Sequence, residues 1–391
     1  MTRDNRLIHT RLLIAVLSIH LLSCAAGPRL QPTEEKSPLV ATYEDAANRF
    51  ISAALADSFA YGRLAYLTDT FGSRFSGTQN LEDAIDWVLE EMERDGLENV
   101  HGEDVMVPRW IRGTERAELL EPRQKKLEML GLGGSVGTPP EGITAEVLVV
   151  GTFDELAARA EEAAGKIVLF NAPFTSYGET VKYRYGGASA AAKAGAVASL
   201  VRSVGPFSMN TPHTGGMRYE EDVPEIPHAA ITVEDAMMLQ RMVDRGQRVV
   251  VRLYMEAHVE ADAPSRNVVA QITGGEKPHE VVVLGGHIDS WDVGTGAMDD
   301  AGGCVAAWEA VRLMQKLGLR PRRTVRVVLW TNEENGLRGG KAYRDAHRDE
   351  LDRHILAMES DNGVFKPVGF GFTGSEEARG VVEQIARLLE P

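Results

Sequence analysis

The sequence predicts an α/β fold with a separate block of short strands in the middle of the chain. Apolar strand segments alternate with helical segments over residues 267–358, a rhythm typical of α/β proteins. A chain of 391 residues exceeds one domain of about 150 residues, and 43% of its residues are apolar. The length and composition therefore allow two or three domains with cores of their own.

Charge and cysteine content exclude several classes of function. The formal net charge of −15 leaves no surplus of cations for a phosphate backbone, so nucleic acid is not expected as a partner. The chain contains two cysteines, Cys24 and Cys304, which provide neither a disulfide framework nor a thiolate metal cluster. Any metal would have to be held by His, Asp and Glu.

The first residues predict export. Three arginines precede the apolar stretch 12–22, which is shorter than the ~18 residues of a membrane span. Cys24 directly follows this stretch after Ser23, as in the lipobox of bacterial lipoproteins, although ordinary cleavage after Ala26 is an open alternative. We expect a signal peptide over 1–23, a tether over 24–40, and an exported protein. It would be a periplasmic or cell-envelope lipoprotein that meets the membrane only through its lipid, or otherwise a secreted protein.

The next elements are predicted from apolar periodicity and breaker residues. A helical pattern covers 43–67, and a second helix begins at a capping Asn80 and ends at Gly96. The Gly- and Pro-rich stretch 131–142 marks a loop and a domain boundary. A strand precedes this loop and more short strands follow it around an alanine-rich helix: 99–107, 145–150, 166–171, helix 188–199 and 249–253. His213 and His228 stand alone beside prolines, and we expect them to be structural or solvent-facing.

The third section contains the alternation that sets the fold class. Its predicted elements are strand 267–272, strand 280–286, helix 301–317, strand 324–330, helix 337–347 and strand 355–358. Ligands of open α/β sheets bind beyond the carboxyl ends of the strands. The residues that follow each strand are therefore the candidates for chemistry.

Acidic residues and one histidine follow these strands. They are His287 and Asp289, then Asp299, then Glu333 and Glu334, then Asp361. Such a set is suited to a divalent ion such as zinc. Crowded carboxylates repel one another, so two ions that share a bridging carboxylate would explain their number. Taken singly, each residue has a structural alternative, since acids before a helix also act as N-caps.

Four motifs in this section resemble the co-catalytic di-zinc exopeptidase family. They are residues 285–292 (GGHIDSWD), 296–300 (GAMDD), 330–334 (WTNEE) and 358–361 (MESD), and matches extend to 69–74 and 372–376. The resemblance implies a zinc exopeptidase fold, with a central mixed sheet flanked by helices and an inserted β-rich protease-associated domain. The implied boundaries are a first peptidase part over 41–130, the insert over 131–255 and a second peptidase part over 256–391.

The resemblance also implies a role for each site residue. Asp299 would bridge two zinc ions, with His287 and Asp361 on one ion and Glu334 on the other. The carboxylate of Asp289 would hold the imidazole of His287, and Glu333 would be the general base.

One ligand of the family pattern has no counterpart, because the family closes the second zinc site with a late histidine. The last histidine here is His354, at the start of its strand and away from the crevice. We therefore expect an incomplete second site and a chain that continues beyond Pro391.

These inferences predict an exported zinc-dependent exopeptidase that hydrolyses dipeptides or short peptides with an activated water and a Glu base. Carboxypeptidase, aminopeptidase and dipeptidase activity all remain open, and the resemblance also suggests a homodimer. The alternative is a non-catalytic binding protein that retains the peptidase fold.

Overall fold

The computed structural model describes residues 37–389. The predicted signal peptide, the lipid attachment at Cys24 and most of the tether lie outside these residues and stay predictions. Residues 45–371 form one compact unit, and a second, small unit contains the described residues 37–44 and 372–389. Among residues 37–389, no helix has both the length and the apolar content needed to cross a bilayer.

The strands are numbered in chain order. They are β1 (Glu98–Ile111), β2 (Glu115–Glu121), β3 (Lys125–Leu127), β4 (Met129–Gly131), β5 (Ile143–Val150), β6 (Ile167–Phe170), β7 (Ala198–Arg202), β8 (His228–Ile231), β9 (Val250–Met255), β10 (His258–Ile272), β11 (Lys277–His287), β12 (Arg323–Trp330) and β13 (His354–Glu359).

The α-helices are numbered in the same way. They are α1 (Pro38–Ala56), α2 (Phe59–Phe71), α3 (Gln79–Arg94), α4 (Phe153–Ala158), α5 (Ala160–Ala163), α6 (Tyr177–Lys193), α7 (Val233–Asp244), α8 (Gly302–Lys316), α9 (Arg338–Ala346) and α10 (Glu376–Ala386).

A five-stranded mixed sheet has the order β1-β10-β12-β11-β13. β11 runs parallel to both β12 and β13, whereas β10 is antiparallel to β1 and β12. Alternate residues of β12 face opposite sides, so Val325 and Val327 pack with α3 and α8 while Val328 lies in the other core with Tyr343 of α9. Helices therefore cover both faces, and the predicted α/β class with a mixed central sheet is confirmed.

A second sheet of eight strands has the order β3-β2-β9-β5-β6-β7-β8-β4. Its parallel centre, β5 to β8, is buried between the cores that contain α6 and α7. Strands β2 to β4, over 115–131, belong to this sheet, although the sequence analysis placed them in the first peptidase part. Their frequent Glu and Lys residues conceal the alternating buried positions Ala117, Leu119 and Leu127. The exact division of the chain into domains stays a prediction.

Several predicted boundaries were wrong. The helical pattern over 43–67 is divided between α1 and α2, and α3 is capped by Thr78, whose hydroxyl accepts from the Leu81 amide, and not by Asn80. The predicted helix 188–199 covers the end of α6 and the start of β7. Alanine fits both environments, and the break falls at Gly195, which has a φ of +80° that favours glycine.

Candidate metal centre

The site residues meet at one edge of the five-stranded sheet because three neighbouring strands end there in parallel. His287 is the last residue of β11 and pairs with Trp330, the last residue of β12. β13 ends beside them, with Glu359 paired to Gly285. The segments that follow these strands carry the acids, so the topology brings the predicted site residues together.

The imidazole of His287 is buried and lies among acidic groups. Its Nε2 is 3.0 Å from Oδ1 of Asp299 and 3.4 Å from Oδ1 of Asp361. Its Nδ1 is 3.0 Å from the main-chain carbonyl oxygen of Asp289, whereas Oδ1 of the Asp289 carboxylate is 3.7 Å away. The main-chain carbonyl therefore makes the closer contact with the ring, where the sequence analysis expected the carboxylate.

Asp299 and Asp300 lie in a π-helical turn, Ala297–Ala301, that leads into α8, and a cis peptide bond joins them. The Asp299 side chain is 65% exposed and faces His287. The Asp300 carboxylate is buried and accepts the main-chain N–H groups of His287 at 3.1 Å and Gly303 at 3.1 Å. A Cβ at Gly303 would overlap the main-chain oxygen of Ser360, so this glycine permits the close approach of the two segments.

Glu333 and Glu334 follow β12 in a turn that the Asp289 carboxylate holds. Its Oδ1 accepts the Glu333 amide at 2.9 Å, and its Oδ2 accepts the Glu334 amide at 3.3 Å. Asn332, immediately before them, has a φ of +60°, and its side-chain amide donates to the Ser76 hydroxyl at 3.0 Å. These hydrogen bonds hold the backbone of the turn, and therefore the positions from which the two glutamate side chains extend.

Arg74 holds the loop after β11 in place through hydrogen bonds to its main chain. Its guanidinium is fully buried and donates to the carbonyl oxygens of Ile288 at 2.9 Å, Thr295 at 2.7 Å and Gly296 at 3.1 Å. Ile288 lies at one end of the segment that carries Asp289, and Thr295 and Gly296 lie at the other. Arg74 therefore holds both ends of this segment. In the sequence, Arg74 belongs to the matching stretch 69–74 but has no predicted role. No sequence pattern pointed to Ser76.

Burial and mutual repulsion shift the pKa values of the carboxyl groups. Burial, followed by the neighbouring charge of Asp299, raises the pKa of Glu334 to about 9, and burial raises the pKa of Asp300 to about 7. Burial also raises the pKa of Glu333. Burial opposes protonation of His287, but the carboxylates of Asp289, Asp299 and Asp361 outweigh it and raise the pKa of the ring. A bound cation would relieve this crowding.

Two overlapping groups of side chains have the spacing of metal ligands. Ligand atoms of His287, Asp299 and Glu334 all lie within 4.8 Å of one another, and so do those of His287, Asp300 and Asp361. One imidazole with several carboxylates is a donor set that fits zinc. Asp300 was not predicted as a site residue; its place beside Asp299 in the sequence was the available signal.

His354 does not join these groups. It begins β13, and its Nε2 is 3.0 Å from the hydroxyl of Tyr343. This is the opposite end of β13 from Glu359, as the sequence analysis placed it.

Comparison with known proteins gives a consistent result. The family profile described as "Peptidase family M28" matches residues 267–391. Carboxypeptidase Q of Mus musculus is 49% identical, in an alignment that covers 97% of this chain and 83% of the mouse protein. Carboxypeptidase Q of Homo sapiens is 50% identical, with 95% of this chain and 81% of the human protein covered.

Solved structures confirm the fold. The peptidase M28 precursor from Shewanella amazonensis SB2B has a TM-score of 0.79 and 37% identity, over 83% of this chain and 75% of the other. A zinc aminopeptidase from Bacillus subtilis has a TM-score of 0.59 over 78% of this chain and 68% of the other, and its 23% identity makes this a likeness of fold alone. The predicted exopeptidase fold and the resemblance to a family of zinc exopeptidases are both confirmed.

Proposed function

The chain belongs to peptidase family M28, and from this membership we propose that it is a zinc-dependent exopeptidase that uses two ions and a glutamate base to hydrolyse dipeptides or short peptides. One observation carries the proposal: His287, Asp299 and Glu334, from three separate segments, place their ligand atoms within 4.8 Å of one another. The chain is a metallopeptidase by family, and the metal-ligand spacing of these side chains supports a metal centre at this position.

We keep the division of ligands between the two ions that the family resemblance implies, whereas the two groups with ligand spacing join Asp299 with Glu334 and Asp300 with Asp361 around the shared His287. His287, Asp299 and Asp361 would hold one zinc, and Asp299 and Glu334 would hold the other. The exposed position of Asp299 beside His287 supports its role as the shared ligand. Asp300, whose carboxylate already accepts two main-chain amides, would hold the turn in place. Bound zinc would lower the pKa of water and polarise the scissile carbonyl.

Glu333 is proposed as the general base. The Asp289 carboxylate holds its amide, as it does that of Glu334, but the Glu333 side chain belongs to neither group with metal-ligand spacing. Burial raises its pKa, which suits a carboxylate that takes a proton from water and passes it to the leaving amine. Asp289 would position two parts of the site. Its carboxylate would hold the Glu333–Glu334 turn, and its main-chain carbonyl would orient the ring of His287.

A set of blocked dipeptides tests the proposal and defines the type of exopeptidase. The purified chain is stripped with a chelator, reloaded with zinc, and given a free dipeptide, its N-acetyl form and its C-terminal amide. We expect hydrolysis that requires zinc. Cleavage of the N-acetyl form would identify a carboxypeptidase, cleavage of the amide an aminopeptidase, and cleavage of the free form alone a dipeptidase. A zinc-loaded chain that cleaves none of them would contradict the proposal and favour the binding-protein alternative.

Export and lipid attachment are a further part of the proposal. Export rests on the three arginines and the apolar stretch 12–22, and lipid attachment rests on the position of Cys24. If Cys24 carries a lipid, Cys24→Ser should change a membrane-bound protein into one released from the cells. A wild-type protein that is already released, with Gly27 at its N-terminus, would identify ordinary cleavage.

A further inference from the structure

The loop over residues 213–216 of the eight-stranded sheet lies against the metal centre. Gly216 is close enough to the turn after β12 that a Cβ there would be 3.8 Å from the Glu334 carbonyl oxygen. Gly133 and Gly216 form a β-bridge, and the Gly133 amide donates to the Gly215 carbonyl at 3.1 Å. The loop is therefore fixed in place and forms a wall of the site that comes from outside the five-stranded sheet.

His213 begins this loop and is exposed at its surface. Its main-chain N–H donates to the hydroxyl of Ser203 at 2.7 Å, and its ring meets Tyr177 edge to face with centroids 5.9 Å apart. The imidazole also lies close enough to Asp299 for each group to act on the pKa of the other. His213 thus belongs to the loop that borders the turn after β12, within electrostatic range of the proposed bridging ligand.

Arg184 determines which nitrogen of His213 carries the proton. Its buried guanidinium places Nη1 3.2 Å from Nδ1 of His213 and 3.0 Å from the carbonyl oxygen of Thr214, while its Nη2 donates to the hydroxyl of Tyr177. A guanidinium can only donate hydrogen bonds, so Nδ1 must accept and the neutral ring carries its hydrogen on Nε2. Although one side of His213 is exposed to solvent, partial desolvation of its ring and then the charge of Arg184 lower the pKa of His213, which favours the same neutral form.

We propose that His213 is a further catalytic residue, whose Nε2–H donates a hydrogen bond to the scissile carbonyl oxygen of the substrate as that oxygen gains negative charge. This role rests on the proposed function, since it needs a peptide at the metal centre. Bound zinc would polarise this oxygen, but the other residues described at this centre are mostly carboxylates, which have no hydrogen to donate when ionised. His213 supplies a neutral donor on the loop 213–216 that borders the metal centre, and such a donor lowers the barrier of acyl transfer. Arg184 is the residue that positions it.

His213→Phe tests this role, because phenylalanine keeps a ring beside Tyr177 and removes the donor. We expect a fall in kcat of about 100-fold with little change in KM and unchanged zinc content, the size found when one such donor is removed. His213→Gln should recover part of the loss, since its amide N–H still donates. The matched control is His279→Phe, at the exposed opposite end of β11, which should behave like the wild type.

A second readout does not depend on activity. In ¹⁵N spectra of the metal-free protein, with the His213 signal assigned from the His213→Phe variant, the ring should be neutral with its hydrogen on Nε2 at pH 7. A charged ring or an Nδ1–H form would overturn the proposal.

The kinetic outcomes separate this proposal from the one on which it rests. A zinc-loaded wild type without peptidase activity would contradict the proposed function. An active wild type with an equally active His213→Phe variant would overturn only the role of His213. A raised KM with an unchanged kcat would also overturn it, because the residue would then bind a ground-state group such as the substrate carboxylate.

Discussion

Glu333 and Glu334 are neighbours in the chain, but their surroundings differ. Glu334 places a carboxylate oxygen among the ligand atoms of His287 and Asp299, whereas Glu333 belongs to neither group of metal-ligand spacing. Glu333→Gln should therefore keep zinc and lower kcat by about 10² to 10⁴-fold, because an amide cannot accept the proton. Metal analysis and dipeptide hydrolysis on the same sample check this, with the exposed Glu161→Gln as the control. Near wild-type turnover in the zinc-loaded variant would exclude Glu333 as the base.

Asp299 is the proposed bridging ligand between the two ions. Asp299→Ala should empty both positions, since it removes the shared ligand and leaves the remaining carboxylates without compensation. Zinc per chain, measured after dialysis, should fall far below the value of the wild type and of the exposed Asp345→Ala control. Full zinc content in Asp299→Ala would refute the bridging assignment.

The identities of the candidate ligands were accessible from the sequence, because each follows a strand in a recognisable motif. Their contacts were not accessible. Asp289 directs its main-chain carbonyl oxygen toward His287 and its carboxylate toward the Glu333–Glu334 turn. These contacts depend on the path of two loops that meet only after folding. His213 carried no signal in the sequence, because its partner Arg184 is 29 residues away.

At the scale of elements, one buried side chain holds the segment after β11. Arg74→Met would leave the carbonyl oxygens of Ile288, Thr295 and Gly296 without this donor, at a cost of about 3 kcal/mol in the free energy of unfolding. Zinc affinity should fall as well, because the same segment carries Asp289. Urea denaturation and zinc titration measure the two effects, with Arg245→Met on the surface as the control. Unchanged stability and affinity would exclude this supporting role.

β8 begins with a buried histidine that should make the protein sensitive to acid. His228 is fully buried, and its ring nitrogens lie 3.2 Å from the Ser199 carbonyl oxygen and 3.1 Å from that of Arg184. Burial lowers its pKa from 6.5 to about 4, so the unfolded chain takes up a proton at a higher pH than the folded one. The free energy of unfolding should fall by about 3 kcal/mol from this group as the pH drops from about 6.5 to about 4.

Denaturation at several pH values measures this effect. His228→Gln should show a smaller decrease in stability over the same range, whatever its stability at pH 7, and the exposed His279→Gln should follow the wild type. An identical pH slope for His228→Gln and the wild type would contradict the assignment. This expectation could not be derived from the sequence, because a histidine beside a proline is compatible with both burial and exposure.

The element boundaries show where local patterns are insufficient. β11 and β12 were predicted within three residues at each end, because their valine runs are typical of buried parallel strands, and β13 was predicted within one residue. β10 was predicted less well, since it begins at His258, nine residues before the predicted strand 267–272. The predicted helix over 188–199 failed because alanine is compatible with both the helix α6 and the buried strand β7. Tertiary packing decided between them.

At the scale of the whole molecule, Trp291 joins the two sheets. It lies in the loop after β11 of the five-stranded sheet, yet it is buried in the core of the eight-stranded sheet and stacks on Phe75 with centroids 5.1 Å apart. Arg112 and Asp292 form a bidentate ion pair beside it, with both bonds at 2.6 Å. This connection was not visible in the sequence, because it depends on how the two sheets meet.

Trp291→Ala should destabilise the protein by about 3 kcal/mol or more, since a large buried aromatic group is lost. We expect residues 45–371 of the wild type to unfold in one thermal transition. In the variant, the transition temperature should be lower or two transitions should appear. Scanning calorimetry measures this, and Trp291→Phe, which keeps an aromatic ring, should lie between the two. A variant transition at the wild-type temperature would show that the sheets are held together elsewhere.

The central claim, a two-zinc peptidase centre, is tested most directly by titrating zinc into the metal-stripped chain while bound zinc and dipeptide hydrolysis are measured on the same samples. The described ligands predict two zinc ions per chain. One should bind more tightly, through His287, Asp299 and Asp361, and one more weakly, through Asp299 and Glu334. Hydrolysis should rise as the second ion binds. Hydrolysis that is complete without zinc, or a single zinc per chain at full turnover, would contradict the account.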